Sequence, residues 1–101
     1  MESVYFYDDE VSKDVTKILE NDPDDFFKRI GYVVRECKLL GSLRKGYFLY
    51  LKANSEDLDR AEKKFNGLGL EKLMGEETKI VTAAFIAEED NAASGMGMIF
   101  G

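Results

Sequence analysis

Histidine is absent from this chain, and cysteine occurs only once, at position 37. Without histidine there is no imidazole to act as a general base near neutral pH. Neither a cysteine–histidine pair nor a serine triad that contains histidine can form. One thiol without an imidazole also cannot supply the ligands of a zinc or copper site. A pair of acids for general acid–base catalysis stays open, but it would need a cleft, which a domain this small rarely encloses. We therefore predict that the protein is not an enzyme and that it has no catalytic residues.

Long apolar runs are missing as well. No stretch approaches the roughly 18 apolar residues that a membrane helix needs. The N-terminal "MESVYFYDDE" carries acids and no basic region, which is not the pattern of a secretory signal peptide. A single cysteine cannot form an internal disulfide, and this fits a reducing compartment. We therefore expect a cytoplasmic protein with no membrane partner.

The residues that are present have the composition of one globular domain. The chain has 101 residues, of which 45% are hydrophobic and 34% are charged. Its 20 acidic and 14 basic residues give a net charge of −6, so its surface repels polyanions and we do not expect a nucleic-acid partner. We assign residues 1–90 to a single α+β domain and residues 91–101 to a glycine-rich apolar tail.

Apolar periodicity predicts a strand, two helices and a hairpin in the first half of the chain. The run "SVYFY" predicts the first strand, and apolar residues from Val11 to Leu19 recur at helical spacing. Asp22 suits the cap of a second helix, and Gly31 suits its end. "YVVRECKLL" (32–40) and "YFLYLKA" (47–53) then predict two strands joined as a hairpin.

The second half predicts a helix and one long strand. Asn54 or Ser55 caps the helix, whose apolar stripe runs from Leu58 to Leu68. The segment "KIVTAAFIAE" (79–88) predicts the next strand, after a loop. The last residues either return as a further strand, "MGMIF" (96–100), or lie loosely on the surface.

This order of elements is that of the ferredoxin-like split βαββαβ arrangement. We expect helices on one face of a mostly antiparallel four-stranded sheet, with the C-terminal tail as a possible further strand. We also expect the first and third strands to lie side by side and to run parallel. The alternative is one continuous helix over residues 26–40, because Phe26, Ile30, Val33 and Cys37 fit helical spacing too.

Two short segments resemble motifs of the RNA-recognition family. "KGYFLYL" on the third strand is similar to that family's Lys-Gly-Tyr motif, and "VYF" on the first strand is similar to its aliphatic-aromatic-aliphatic motif. The resemblance implies that Tyr5 and Tyr47 stack on bases. The chain departs from the family at Phe48, which replaces a small residue, at Leu49, which replaces an aromatic, and at Asp8, which replaces an asparagine.

The third predicted strand is apolar on both faces. Tyr47, Leu49 and Leu51 lie on one face, and Phe48 and Tyr50 lie on the other. A strand of this kind needs cover on both sides, whereas the predicted helices cover one. We therefore predict a homodimer packed through the sheet or edge to edge. The tail or a protein partner is the alternative cover for the second face.

Acidic residues flank several of the predicted strands. With the first and third strands parallel, the ends of both strands and the start of the fourth meet at one rim of the sheet. Carboxylate and amide oxygens without histidine or cysteine suit calcium or magnesium. The candidate ligands are Asp8, Asp9, Glu10, Asn54, Glu56, Asp57, Glu76 and Glu77. The alternative is that these residues cap helices and solvate loops.

These patterns favour a small, dimeric, non-enzymatic binding or regulatory module. Its ligand is a protein partner or a small molecule. The alternative function is binding of calcium or magnesium at the acidic rim. RNA binding through Tyr5 and Tyr47 ranks last, because bases stack most readily on aromatic rings with a positive surround and this chain is acidic.

Overall fold

The computed structural model describes residues 1–22 and 24–98, with side chains up to Glu88 in the last helix. The elements are β1 (Glu2–Tyr7), α1 (Ser12–Asn21), α2 (Phe26–Ile30), β2 (Val33–Glu36), a 3-10 helix (Cys37–Leu40), β3 (Tyr47–Lys52), α3 (Ser55–Phe65), β4 (Glu71–Lys72) and α4 (Gly75–Met98). The fold is therefore α+β. Among the described residues, no helix combines the length and the apolar character that a membrane span requires.

The four strands form one antiparallel sheet in the order β2-β3-β1-β4. Tyr7 lies opposite Tyr47, and Glu2 lies opposite Lys52, so β1 and β3 run in opposite directions. The hairpin makes β3 antiparallel to β2, and the crossover through α1 and α2 returns β2 parallel to β1. Because β3 inserts between these two strands, it opposes both. The prediction that the first and third strands run parallel is wrong.

The predicted elements of the first half are present. In α1, Val15 and Leu19 lie four residues apart and face the core. β2 is shorter than predicted, because the chain turns after Glu36 into the 3-10 helix, which ends at Gly41 with φ +81°. Since Val33–Glu36 pairs with β3, the alternative of one helix over residues 26–40 is wrong.

Residues 79–88 belong to α4 and do not form a strand. Val81 and Phe85 lie four residues apart and are buried, whereas Ile80 is 65% exposed and Ile86 is 42% exposed. This is the spacing of a helix with one face on the core. The strand prediction is wrong because a short, nearly continuous apolar run fits the strand period and the helix period equally well. Tertiary packing selected the helix.

The fourth strand is the two-residue segment Glu71–Lys72, which lies where a loop was predicted. After it, α4 runs across residue 90 without a break and reaches Met98. The described part of the predicted last strand, Met96–Met98, is therefore helical. Ile99 and Phe100, which complete that prediction, lie outside the described residues.

Helices cover both faces of the sheet, and the prediction of helices on one face is wrong. One core joins β1 and β3 to α1, α2 and α3; it contains Tyr5, Tyr7, Val15, Leu19, Phe26, Phe27, Leu49, Leu51, Leu58, Ala61 and Phe65. The other core joins the opposite face to α4 and the 3-10 helix; it contains Val4, Cys37, Phe48, Tyr50, Leu73, Val81 and Phe85. The chain's own helices thus cover both apolar faces of β3, which removes the reason for expecting a homodimer.

Candidate functional site

The predicted cation ligands are divided between the two ends of the β1–β3 ladder. Asp8 follows Tyr7 at one end, and Asn54 follows Lys52 at the other. A six-residue strand rises about 3.4 Å per residue, so the ends are roughly 17 Å apart. Oxygen ligands of calcium lie at about 2.4 Å from the ion. In the described part of the chain, no group of three or more His, Cys, Asp or Glu residues is placed to hold a metal.

Several of these residues support the local backbone. Asp8 Oδ1 accepts a hydrogen bond from the N–H of Glu10 at 3.0 Å. Asn54 Oδ1 accepts one from the N–H of Asp57 at 2.8 Å and so caps α3. Glu56 lies in the first turn of the same helix, where the helix dipole favours a carboxylate. These roles agree with the alternative interpretation, in which these residues cap helices and solvate loops.

The other predicted ligands contact neighbouring side chains. Glu76 Oε1 lies 3.9 Å from Lys79 Nζ on the surface of α4. Asp9 lies near the hydroxyl of Tyr47, and the negative charge of Asp9 raises the pKa of that phenol. Glu77 forms hydrogen bonds with Arg44. Each of these acids therefore has a partner that is not a metal.

Arg44 joins three elements at the hairpin loop. Its Nη2 lies 3.0 Å from Oε2 of Glu71 in β4, and its guanidinium lies 4.7 Å from the ring centroid of Phe6 in β1. Hydrogen bonds from Arg44 to Glu77 and Glu71 raise the arginine pKa, so the side chain is charged at every accessible pH. Arg44 therefore holds the loop against β4 and α4, which is a structural role.

The two tyrosines proposed to stack on RNA bases are engaged within the protein. Tyr5 is 2% exposed, and its ring meets that of Phe65 edge-on at 5.0 Å between centroids. Tyr47 stacks on Tyr7 at 5.3 Å with an interplanar angle of 22°. Base stacking requires an exposed aromatic face, and α3 covers the face of Tyr5.

A groove between α1 and the end of α3 has the features of a ligand site. Its volume is about 490 Å³, within the range of small-molecule pockets. It is lined by Asp14, Lys17, Ile18, Asn21, Asp22, Lys64 and Leu68. Only Ile18 and Leu68 are apolar residues, but most of the accessible surface of the groove comes from apolar atoms; the other residues add two carboxylates, two ammonium groups and an amide. Such a wall can bind an apolar group and orient charged groups attached to it.

Asp22 is a buried carboxylate in this groove. It is 8% exposed, and the side chain lies where the chain leaves α1. Its Oδ1 accepts a hydrogen bond from the N–H of Asp24 at 3.4 Å and lies 3.4 Å from Lys64 Nζ. Its Oδ2 lies 3.1 Å from the same Nζ without the angles of a hydrogen bond, so Oδ2 has charge compensation but no donor.

The surroundings of Asp22 keep it ionised. Burial by itself would raise the pKa of the carboxyl. The hydrogen bond and the charge of Lys64, together with the backbone N–H groups of Asp24 and Phe26, outweigh this effect. The net pKa of Asp22 therefore lies below its ordinary value, and at neutral pH the groove holds a fixed negative charge beside the positive charge of Lys64.

Asp14 and Lys17 project from α1 into the same groove. They lie three residues apart and hence on one face of the helix, with Cβ atoms about 5–6 Å apart. Among the described residues neither side chain forms an ion pair or a hydrogen bond. The groove therefore presents one unpaired charge of each sign close to its apolar surface.

Two residues of this groove were singled out from the sequence: Asp22 as a helix cap, and Leu68 as part of the apolar stripe of a predicted helix. The carboxylate does reach the N–H groups at the start of α2, although the residue before that helix is Asp25. The signal that could have found the groove is the pair Asp14 and Lys17 on the polar side of a predicted helix beside Ile18. Nothing in the sequence says that Lys64, 42 residues beyond Asp22, completes it.

Cys37 does not belong to any site. It is fully buried at the start of the 3-10 helix, packed in the second core. Burial raises the pKa of its thiol to about 11, because the charged thiolate is poorly solvated there. The thiol is therefore protonated at neutral pH and behaves as a small apolar side chain.

Comparison with known proteins identifies no relative. No family model, no curated protein and no solved structure matches this chain at a significant level.

Proposed function

We propose that this domain is a non-enzymatic binding module that takes up a small amphipathic molecule in the groove between α1 and α3. The observation that carries the proposal is the groove beside Asp22: a buried, ionised carboxylate paired with Lys64 lies next to the apolar side chains of Ile18 and Leu68. Perturbed buried acids are also concentrated at functional sites.

The apolar part of the lining supports an amphipathic ligand over a purely polar one. Ile18 and Leu68 are partly buried and pack against the first core, so each still exposes part of its side chain in the groove. Burying apolar ligand surface against them contributes about 25 cal/mol for each Å² removed from water.

The charged groups support binding over catalysis. A general base works best with a pKa near the operating pH, whereas the pKa of Asp22 is lowered from an already acidic value. Lys64 forms an ion pair with Asp22, so its ammonium group is engaged by that carboxylate. Both groups suit recognition of charge and not proton transfer.

We also propose that the first seventy or so residues form a ferredoxin-like arrangement to which α4 is added. This is supported by two helical crossovers: the one from β1 to β2 leaves β3 between them, and the one from β3 to β4 leaves β1 between them. The interleaved crossovers leave α1 and α3 on the same face of the sheet, where the groove lies.

A titration with a neutral apolar probe tests the proposed groove. We expect 4-methylpentan-1-ol at millimolar concentration to shift backbone amide resonances of α1 and of residues 64–68. Leu68→Gln should weaken these shifts, because it replaces an apolar lining group. The matched control is Ile80→Gln, an exposed position on α4, which should leave them unchanged. Shifts that are absent, or scattered over both faces of the sheet, would contradict the proposal.

A further inference from the structure

We propose that the ligand of this groove is a zwitterion, an α-amino acid with an apolar side chain, whose ammonium group binds Asp14 and whose carboxylate binds Lys17. The inference rests on the proposed function and specifies the chemistry of its ligand. It follows from two properties of the groove: its charge balance and the position of its unpaired charges beside apolar side chains.

The charged lining of the groove sums to zero. It has two carboxylates, Asp14 and Asp22, and two ammonium groups, Lys17 and Lys64. A ligand that carries a single charge would engage one sign and leave the opposite sign beside it as a repulsive neighbour. A ligand with one charge of each sign and no net charge is complementary to all four groups.

The unpaired charges are those of Asp14 and Lys17, which lie on one face of α1. Asp14 and Lys17 could pair with each other at this spacing, yet within the described residues neither has an ionic partner. Lys64 and Asp22 neutralise each other. One negative group, Asp14, and one positive group, Lys17, are therefore left for a ligand, and the apolar side chains of Ile18 and Leu68 lie beside them.

Asp14 is the carboxylate of the groove that a ligand can reach. The carboxylate of Asp22 is paired with Lys64, and its Oδ2 is shielded from solvent. Asp14 is exposed on α1 and has no ionic partner among the described residues. A ligand ammonium carries three N–H donors and can donate to both oxygens of Asp14.

Isosteric probes separate the contributions of the two ligand charges. The set is leucine, which carries both charges, 3-methylbutan-1-amine, which carries the positive one, 4-methylpentanoate, which carries the negative one, and the neutral alcohol used above. Dissociation constants come from amide shifts of α1. We expect leucine to bind about tenfold more tightly than either singly charged probe, since each lost contact is a hydrogen bond to a charged group.

Two surface variants assign each charge to its residue. Lys17→Met should remove the preference of leucine over the amine, and Asp14→Asn should remove its preference over the carboxylate. Both residues are exposed on α1, so the variants are expected to fold. Lys13→Met and Glu20→Gln are matched controls on the same helix outside the groove, and both should retain the leucine preference.

The outcomes distinguish this inference from the proposed function. If the alcohol shifts the groove residues but leucine binds no better than the amine or the carboxylate, the zwitterion is overturned and the groove remains a binding site. If leucine is preferred but both Lys17→Met and Asp14→Asn leave that preference intact, the assignment of the charges is overturned. If no probe shifts the groove residues, the proposed function itself fails.

Discussion

Arg44 and Glu77 form a two-point hydrogen-bonded ion pair, with Nε 2.6 Å from Oε2 and Nη2 2.9 Å from Oε1. The pair connects the loop of the β2–β3 hairpin to the first turn of α4, 33 residues further along the chain. Because α4 covers the second face of the sheet, this contact helps to place the layer that the sequence did not predict.

Arg44→Lys should therefore destabilise the domain without unfolding it. Lysine keeps the charge but cannot present the planar fork that meets both oxygens of Glu77. The pair is partly exposed, so we expect a loss of about 1 kcal/mol in the free energy of unfolding, measured by urea denaturation. Lys79→Met removes the exposed ion pair with Glu76 and should change the free energy of unfolding by less than about 0.5 kcal/mol. Equal losses in both variants would contradict this account.

Phe85→Ala should reveal how much α4 contributes to the second core. Phe85 is 5% exposed, and its ring stacks on Tyr50 at 5.2 Å between centroids. Truncating a buried phenylalanine costs about 3–5 kcal/mol through lost burial and a residual cavity. The partly exposed Ile86 is the matched control, and Ile86→Ala should cost less than about 1 kcal/mol. A similar small cost for Phe85→Ala would mean that α4 does not cover the sheet in solution.

Alkaline pH should destabilise the domain through its buried tyrosines. Burial raises the pKa of Tyr5 and of Tyr7 to about 12 from the ordinary value of 10.0. A raised folded-state pKa contributes stability that is complete below pH 10 and is lost as the pH rises towards 12, because the unfolded state ionises first. Unfolding midpoints in urea, measured between pH 8 and pH 12, should fall over this interval.

Tyr5→Phe isolates the part of this loss that belongs to Tyr5. The Tyr5 hydroxyl is buried, and it neither donates nor accepts a hydrogen bond among the described residues. Its removal should therefore leave the stability at pH 8 unchanged or slightly higher. The decline from pH 10 to pH 12 should become shallower, because one buried phenol no longer has to ionise. An unchanged decline would exclude Tyr5 as a source of the alkaline sensitivity.

Asp22→Asn should act at the acid end of the pH range. The pKa of Asp22 in the folded state lies below its ordinary value of 3.8. A lowered pKa contributes stability that is present above pH 3.8 and is lost as the pH falls through the folded-state value. The variant should therefore be less stable than the wild type at pH 7, and the difference should shrink below pH 4. The exposed Asp24→Asn is the control, and a difference that persists at pH 3 would contradict the charge-based explanation.

The helices that were predicted and the one that was missed differ in the spacing of their apolar residues. Val15, Leu19, Leu58 and Phe65 have an unambiguous period, and the helices that contain them were predicted. In the segment 79–88 the apolar residues are nearly continuous, so they fit the strand period and the helix period equally well. The predicted strand was therefore wrong. The direction of β1 relative to β3 also depends on the direction in which the crossover through α1 and α2 returns the chain to the sheet. No local sequence pattern specifies that direction.

The site shows the same division. The eight oxygen-bearing residues proposed as a cation rim were chosen by their positions beside predicted strands, and the antiparallel pairing of β1 and β3 sent them to opposite ends of the sheet. The groove, in contrast, joins residues 14–22 to residues 64 and 68. Their proximity arises from packing α1 and α3 side by side on one face of the sheet.

The sequence by itself determined that the chain has no imidazole and one thiol, where its first strands and helices lie, and that β3 is apolar on both faces. Those properties are local: they depend on residue identity and on spacing over a few positions. Tertiary structure alone decided that α4 covers the second face, that the acids do not meet, and that Asp22 meets Lys64. These are contacts between segments distant in the chain, and the competition among possible packings selects them, not the preference of any one segment.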